Sequence, residues 1–314
     1  MTAFGVSAFS GYNSPYPENG FTQKISHPEI SFSDTSDGLA KLIRPGAGLH
    51  LVSDQFSFTE GPAADKKGNI FFTDQPNNKI WEYDTEGNLS VFMDPAGRSN
   101  GMYFDRSGNL LTCADENNEI WSISPDKKVT VLLNSLYKGL RFNGPNDLWQ
   151  DKKGGIYFTD PYYQRDYWER QKPDMERQNV YYLPRGATEP FVVDDKIVKP
   201  NGIVGTPDGK WLYVADIGDS KTYRYRIQKD GALSDRQLFA PMGSDGMTLD
   251  RKGNLYITGR GVTVFDRDGK RLGNIPVPSG WVGNICFGGS DRKTLFIAAS
   301  KSVYTLQMQV KGAH

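Results

Sequence analysis

The chain has 314 residues, in which 37 Lys and Arg balance 37 Asp and Glu, with 37% hydrophobic and 12% aromatic residues. Balanced charge gives no net field to gather a nucleic acid or an anionic membrane, and this apolar share builds a core and excludes a disordered chain. No run approaches the roughly 20 apolar residues of a membrane span, and the start lacks the basic and apolar regions of a signal peptide, so a soluble cytoplasmic or periplasmic protein is expected.

Residues 1–47, rich in Ser, Pro, Asn and Gly at first and without clear periodicity, read as an irregular arm. A short strand-like run, GLHLVSD, follows at 48–54. Then the tract TEGPAADKKGNIFFTD opens at Thr59 and recurs in altered form from Ser99, Pro145, Pro200, Ser244 and Gly283. Each copy leads into short β-rich runs, such as IFFTD, KIWEYD and LSVFMD, separated by turn clusters. Units of this length bury their apolar faces only against their neighbours, so six of them make one closed array. The expected fold is all-β: a single six-bladed β-propeller over 48–310, four strands to a blade. Gly68, Gly108, Gly154, Gly209 and Gly253 sit in the turns between first and second strands, where positive φ is needed. The third repeat is longer, and its insertion at 161–178 is expected to form a rim over the channel mouth. Only three strands remain after the sixth repeat begins, so 48–54 should supply the fourth and remove the open edges. Cys113 and Cys286 are expected to be buried free thiols.

Aligned, the repeats place Glu60, Asn100, Asn146, Asn201, Asp245 and Asn284 at one position, separated by 40, 46, 55, 44 and 39 residues. First strands line the channel of a propeller, so these six converge on its axis. Any one alone reads as a turn residue, but six buried polar groups without a partner would be costly. Hard oxygen donors without sulfur or imidazole suit Ca2+, with Mg2+ and Mn2+ as alternatives and Zn2+ the poorest match. His27, His50 and His314 lie outside the channel strands, so the base is a carboxylate or a metal-bound water. Asp74, Asp115, Asp160 and Asp216 close second strands and read as caps of the next turn. Trp81, Trp121, Trp149 and Trp211 read as core. Arg141 and Asn143 before the third repeat, Arg260, and Trp281 before the sixth read first as ordinary loop residues, with contact to a substrate as the alternative.

TEGPAAD, RFNGPNDLWQDKKGGIYFTDPYY, PNGI, SDGMTLD and VFDRDGKRLGNIPVP together resemble the gluconolactonase, senescence-marker and luciferin-regenerating family of six-bladed calcium propellers, in its bacterial gluconolactonase branch, over residues 48–308. The resemblance implies that Glu60, Asn146, Asn201 and Asp245 bind one calcium. It makes Asp245 or its bound water the base, with Asn146 beside it in the catalytic set. Asn100 would hydrogen-bond the lactone or a metal-bound water, with Arg141, Asn284 and Trp281 as further substrate contacts. Phe287 stands where the diisopropylfluorophosphatase branch has a histidine, which weakens an organophosphate reading. The expected function is calcium-dependent hydrolysis of a sugar or related lactone by a monomer or homodimer whose partner is a small molecule, not nucleic acid or membrane. The alternatives are a non-catalytic propeller that binds sugar or protein with structural calcium, and an esterase or phosphotriesterase of the same fold.

Overall fold

Alternating apolar runs broken by Gly- and Asp-containing turns give six four-stranded antiparallel sheets, described over residues 37–314 of a computed structural model. His27 and the beginning of the arm lie outside the described residues. The inner strands are Thr59–Ala64, Ser99–Phe104, Leu148–Gln150, Pro200–Gly205, Met247–Leu249 and Asn284–Gly288. Their sheets form the six blades of a propeller. His50–Ser53 pairs antiparallel with Ser302–Gln307, Leu51 opposite Tyr304, so the sixth blade is completed from the N-terminal side as expected. Chain closure of this kind leaves no edge on the ring between first and last blades.

The segment before that strand, read as part of the arm, joins the core where it is described. Asp37–Ala40 is a short helix; Leu39, Leu42 and Ile43 are buried with Val262, Leu306 and Met308, and Ile43 bridges Met308.

Turn chemistry explains why the blades start where they do. Asp65 Oδ1 accepts the N–H groups of Lys67, Gly68 and Asn69 at 2.8, 2.8 and 2.9 Å, and Gly68 takes φ +101°. Asp151 and Asp250 repeat the arrangement. Cys113 and Cys286 are buried and free, as expected. Trp149 is buried in the core, whereas Trp81, Trp121 and Trp211 are partly buried and pack against it.

The aspartates closing the second strands do more than cap the next turn. Asp74, Asp160 and Asp216 each reach back to two consecutive backbone N–H groups in the segment entering their own blade: Ser57 and Phe58, Asn143 and Gly144, Val198 and Lys199. That clamp fixes the approach to the inner strand. Asp160→Ala would strand two buried amides that now lie 3.0 and 2.7 Å from its oxygens. We expect it to cost about 3 kcal/mol in urea unfolding, with Asp160→Asn, which keeps one acceptor, costing less. Asp115 departs from the pattern, because its carboxylate is taken by Arg165, Tyr167 and Gln75 instead.

Candidate active site on the propeller axis

The six aligned positions do meet at one end of the axis, and the residue that follows each explains how. Gly61, Gly101, Gly202 and Gly246 follow four of them, where neighbouring inner strands come too close for a side chain. A Cβ on Gly61 would lie 1.9 Å from the Asn100 carbonyl oxygen, and one on Gly246 would lie 2.0 Å from the Asn284 carboxamide carbon. The strand pairing is irregular just here, between Glu60 and Ala63, Ser99 and Met102, and Pro200 and Ile203. Such bulges turn a side chain out of the regular alternation and aim it at a site.

Asn201 is the hub. Its Nδ2 donates to Asp245 Oδ1 at 2.8 Å and to the Tyr163 hydroxyl at 2.9 Å, while Asp245 Oδ2 accepts from Trp281 Nε1 at 2.7 Å. Burial pushes the Asp245 carboxyl up to about 6, against the pull of Trp281, Asn201 and the Arg165 charge. Burial, then the charge of Asp245, holds Glu60 well above the usual carboxylate range, although its Oε2 accepts the Gly61 N–H at 2.7 Å. Two neighbouring carboxyls that resist ionising together form a site that would gain from a cation.

The donor set fits a hard divalent ion. Asn201 Oδ1 is buried without a hydrogen bond, and of the buried carboxamide oxygens in that state (Asn118, Asn143, Asn179, Asn201) it alone belongs to the axial set. Asn100 and Asn146 are buried, tied together through Gly101 N to Asn146 O at 2.8 Å, and their carboxamides hydrogen-bond no described residue. Among the described residues no three His, Cys, Asp or Glu converge as a metal group, so carboxamide oxygens would have to complete the coordination.

Other expected site residues fall in different places. Asn284 lies in the ring, its Oδ1 accepting Ile285 N at 2.8 Å and its carboxamide favouring the ionised forms of Glu60 and Asp147. Trp281, 37% exposed, stands over Asp245. Arg141 is exposed on a small hairpin, its backbone N–H donating to Asp174 of the insertion, and hydrogen-bonds none of the axial set. Asn143 is not at the mouth: it is fully buried, and its Nδ2 binds the carbonyls of Asp160 and Arg177. Arg260 is exposed, and its carbonyl accepts from Asn274.

Two residues at the site were not singled out in the sequence. Asp147 stands where four other repeats have glycine, and its oxygens accept Leu148 N at 2.9 Å and Ile203 N at 3.2 Å, the latter across to the next blade. Burial raises its carboxyl to about 7. Tyr163 comes from the insertion, so that segment is a rim, as expected, and one that touches the site. Burial and the charge of Asp245 push its phenol up to about 12, so it stays protonated.

Below the ring the channel opens into a cavity of about 360 Å³ lined by Ala63, Met102, Tyr103, Trp149, Ile203 and Met247, with Asp147 and Asn284 at its inner end. His314, outside the channel strands as expected, nevertheless reaches this cavity and pairs through Nε2 with the Gly205 carbonyl at 2.9 Å. Burial depresses its imidazole to about 4, so it is neutral there.

A six-bladed propeller carrying a ring of carboxylates and carboxamides at one end of its axis defines the class. The chain belongs to the SMP-30/Gluconolactonase/LRE-like family, whose profile matches residues 58–301. A gluconolactonase of Zymomonas mobilis is 28% identical over 312 residues, spanning 90% of this chain and 86% of that protein. The solved structure of a gluconolactonase from Xanthomonas campestris is 29% identical, with a TM-score of 0.80 over 90% of this chain and 99% of that one. A calcium-binding regucalcin from Agrobacterium tumefaciens, 18% identical, shares the fold, with a TM-score of 0.70 over 83% and 94% of the two chains.

Proposed function

We propose that this chain is a lactone hydrolase, opening a sugar lactone or related cyclic ester, and that it works with a divalent cation, calcium by preference. The observation that carries the reading is the unpartnered Asn201 oxygen set beside two carboxyls that oppose each other's ionisation, in a chain whose relatives over nearly full length are gluconolactonases. Glu60, Asn146, Asn201 and Asp245 would hold the ion. Bound there, it supplies Lewis-acid polarisation of the ester carbonyl.

The chain's own groups account for the proton movements. Trp281 and Asn201 fix both oxygens of Asp245, so its orientation survives the arrival of substrate. Asp245, held by these two donors, would take a proton from the water attacking the carbonyl carbon. The C–O bond to the ring oxygen breaks, and that oxygen takes up the proton to give the open hydroxy acid. Asn100, with its carboxamide unused by the fold, can hydrogen-bond the lactone or the water, and Trp281 offers it an indole face.

A pH-stat assay of gluconolactone and other aldonolactones tests the reading once the spontaneous rate is subtracted. Turnover should vanish after chelation and return with added calcium; full activity in metal-free protein would refute the metal's role. Sugar binding without turnover of any lactone would favour a non-catalytic propeller instead.

A further inference from the structure

The cations at the channel mouth have no part in the hydrolysis just described. Arg98 and Lys199 occupy one repeat position, two residues before Asn100 and Asn201, in the second and fourth blades. The insertion of the intervening third blade adds Arg165. All three gather on tyrosines of that insertion. Lys199 Nζ lies 3.9 Å from the centre of the Tyr163 ring, the Arg165 guanidinium 5.5 Å from the same ring, and the Arg98 guanidinium 4.3 Å from Tyr167. Since the Tyr163 hydroxyl takes a hydrogen bond from Asn201, Lys199 and Arg165 stand one ring away from the axial set, while Arg98 sits on the neighbouring Tyr167.

Their charge is only partly neutralised. Arg165 pairs with Asp115 at 2.7 Å, and that carboxylate is also occupied by Tyr167 and Gln75. Among the described residues, Lys199 and Arg98 form no ion pair. Stacking explains how the insertion is held down, but it does not require two cations on one tyrosine. Lys199 and Arg98 thus leave two cations without a carboxylate partner beside the insertion.

We propose that Lys199, assisted by Arg98, is a specificity-determining residue that selects lactones carrying an anionic substituent, a carboxylate or a phosphate, over neutral ones. This rests on the lactone-hydrolase reading above. The ester would lie at the axial set with its anion turned toward Lys199, which also favours encounter at low ionic strength.

The test compares gluconolactone, glucarolactone and phosphogluconolactone as substrates of the full chain and of its Lys199→Gln and Lys199→Arg variants. One of the two anionic lactones should exceed the neutral one by about tenfold or more in kcat/KM, with added salt eroding the advantage. Which anion leads separates carboxylate from phosphate recognition. In Lys199→Gln the anionic-to-neutral ratio should fall about tenfold, through KM, while Lys199→Arg keeps most of it. Binding of open-chain glucarate and gluconate, by calorimetry, gives a readout independent of turnover and should show the same dependence on residue 199. Equal or better use of gluconolactone, or a Lys199→Gln loss equal across all three lactones, overturns the proposal and leaves the hydrolase reading standing. If no lactone is turned over, the hydrolase reading fails, and calorimetry alone decides whether the mouth prefers glucarate.

Discussion

Asp245→Asn is expected to lower kcat for lactone opening by about 1,000-fold while leaving the fold intact, as general bases contribute roughly 100- to 10,000-fold. Asp245 faces two donors, Asn201 Nδ2 at 2.8 Å and Trp281 Nε1 at 2.7 Å. A carboxamide can satisfy only one of them, and turns an N–H toward the other. The variant therefore loses the base, one negative charge and the fixed orientation together. Stability should move differently. Burial disfavours the ionised Asp245 in the native state, so a neutral isostere removes that penalty and offsets the lost hydrogen bond. We expect a urea midpoint close to that of the parent beside a nearly silent enzyme. If the variant kept kcat within tenfold of the parent, Asp245 would not be the base.

The ring was legible because its parts repeat. Six copies of one tract, five of them with a turn aspartate and glycine, gave the blades, and the shortage of one strand in the last copy pointed to 48–54, within which His50–Ser53 is the closing strand. The axial set was legible for the same reason, since Glu60, Asn201 and Asp245 share a column. What escaped lies where a copy departs from the pattern. Asp147 occupies a column that reads as a glycine spacer, and only the close packing of adjacent inner strands reveals that the column faces the site. Asp115 matches Asp74, Asp160 and Asp216 in sequence, yet it serves the insertion, because Arg165, 50 residues away, reaches it before the backbone does. Asn143 was misplaced by the same limit. Next to a glycine-proline pair it reads as an exposed turn, but its partners Asp160 and Arg177 arrive from the second strand and the insertion. The insertion itself has no period from which the position of Tyr163 could be inferred.

The second large effect concerns pH and metal together. Glu60, Asp147 and Asp245 all have carboxyls raised by burial, to about 7 for Asp147 and about 6 for Asp245. A carboxyl that binds its proton more tightly folded than unfolded contributes stability in full below its unfolded value near 4, and loses that contribution as pH rises through its folded value. Metal-free protein should accordingly melt at progressively lower temperature between about pH 4 and pH 8. Asp115 and Asp160 shift the same way, so calcium-loaded protein will retain part of the slope. The difference between the two curves isolates the axial carboxylates, because a cation binds their ionised forms and competes with protons. Calcium at a hundredfold excess over its dissociation constant should raise Tm by about 4 °C at pH 8, and by little at pH 4. Scanning calorimetry with calcium or chelator across that range is the measurement. A calcium increment that is absent at pH 8, or the same at both ends, would mean that the axial carboxylates do not hold the ion.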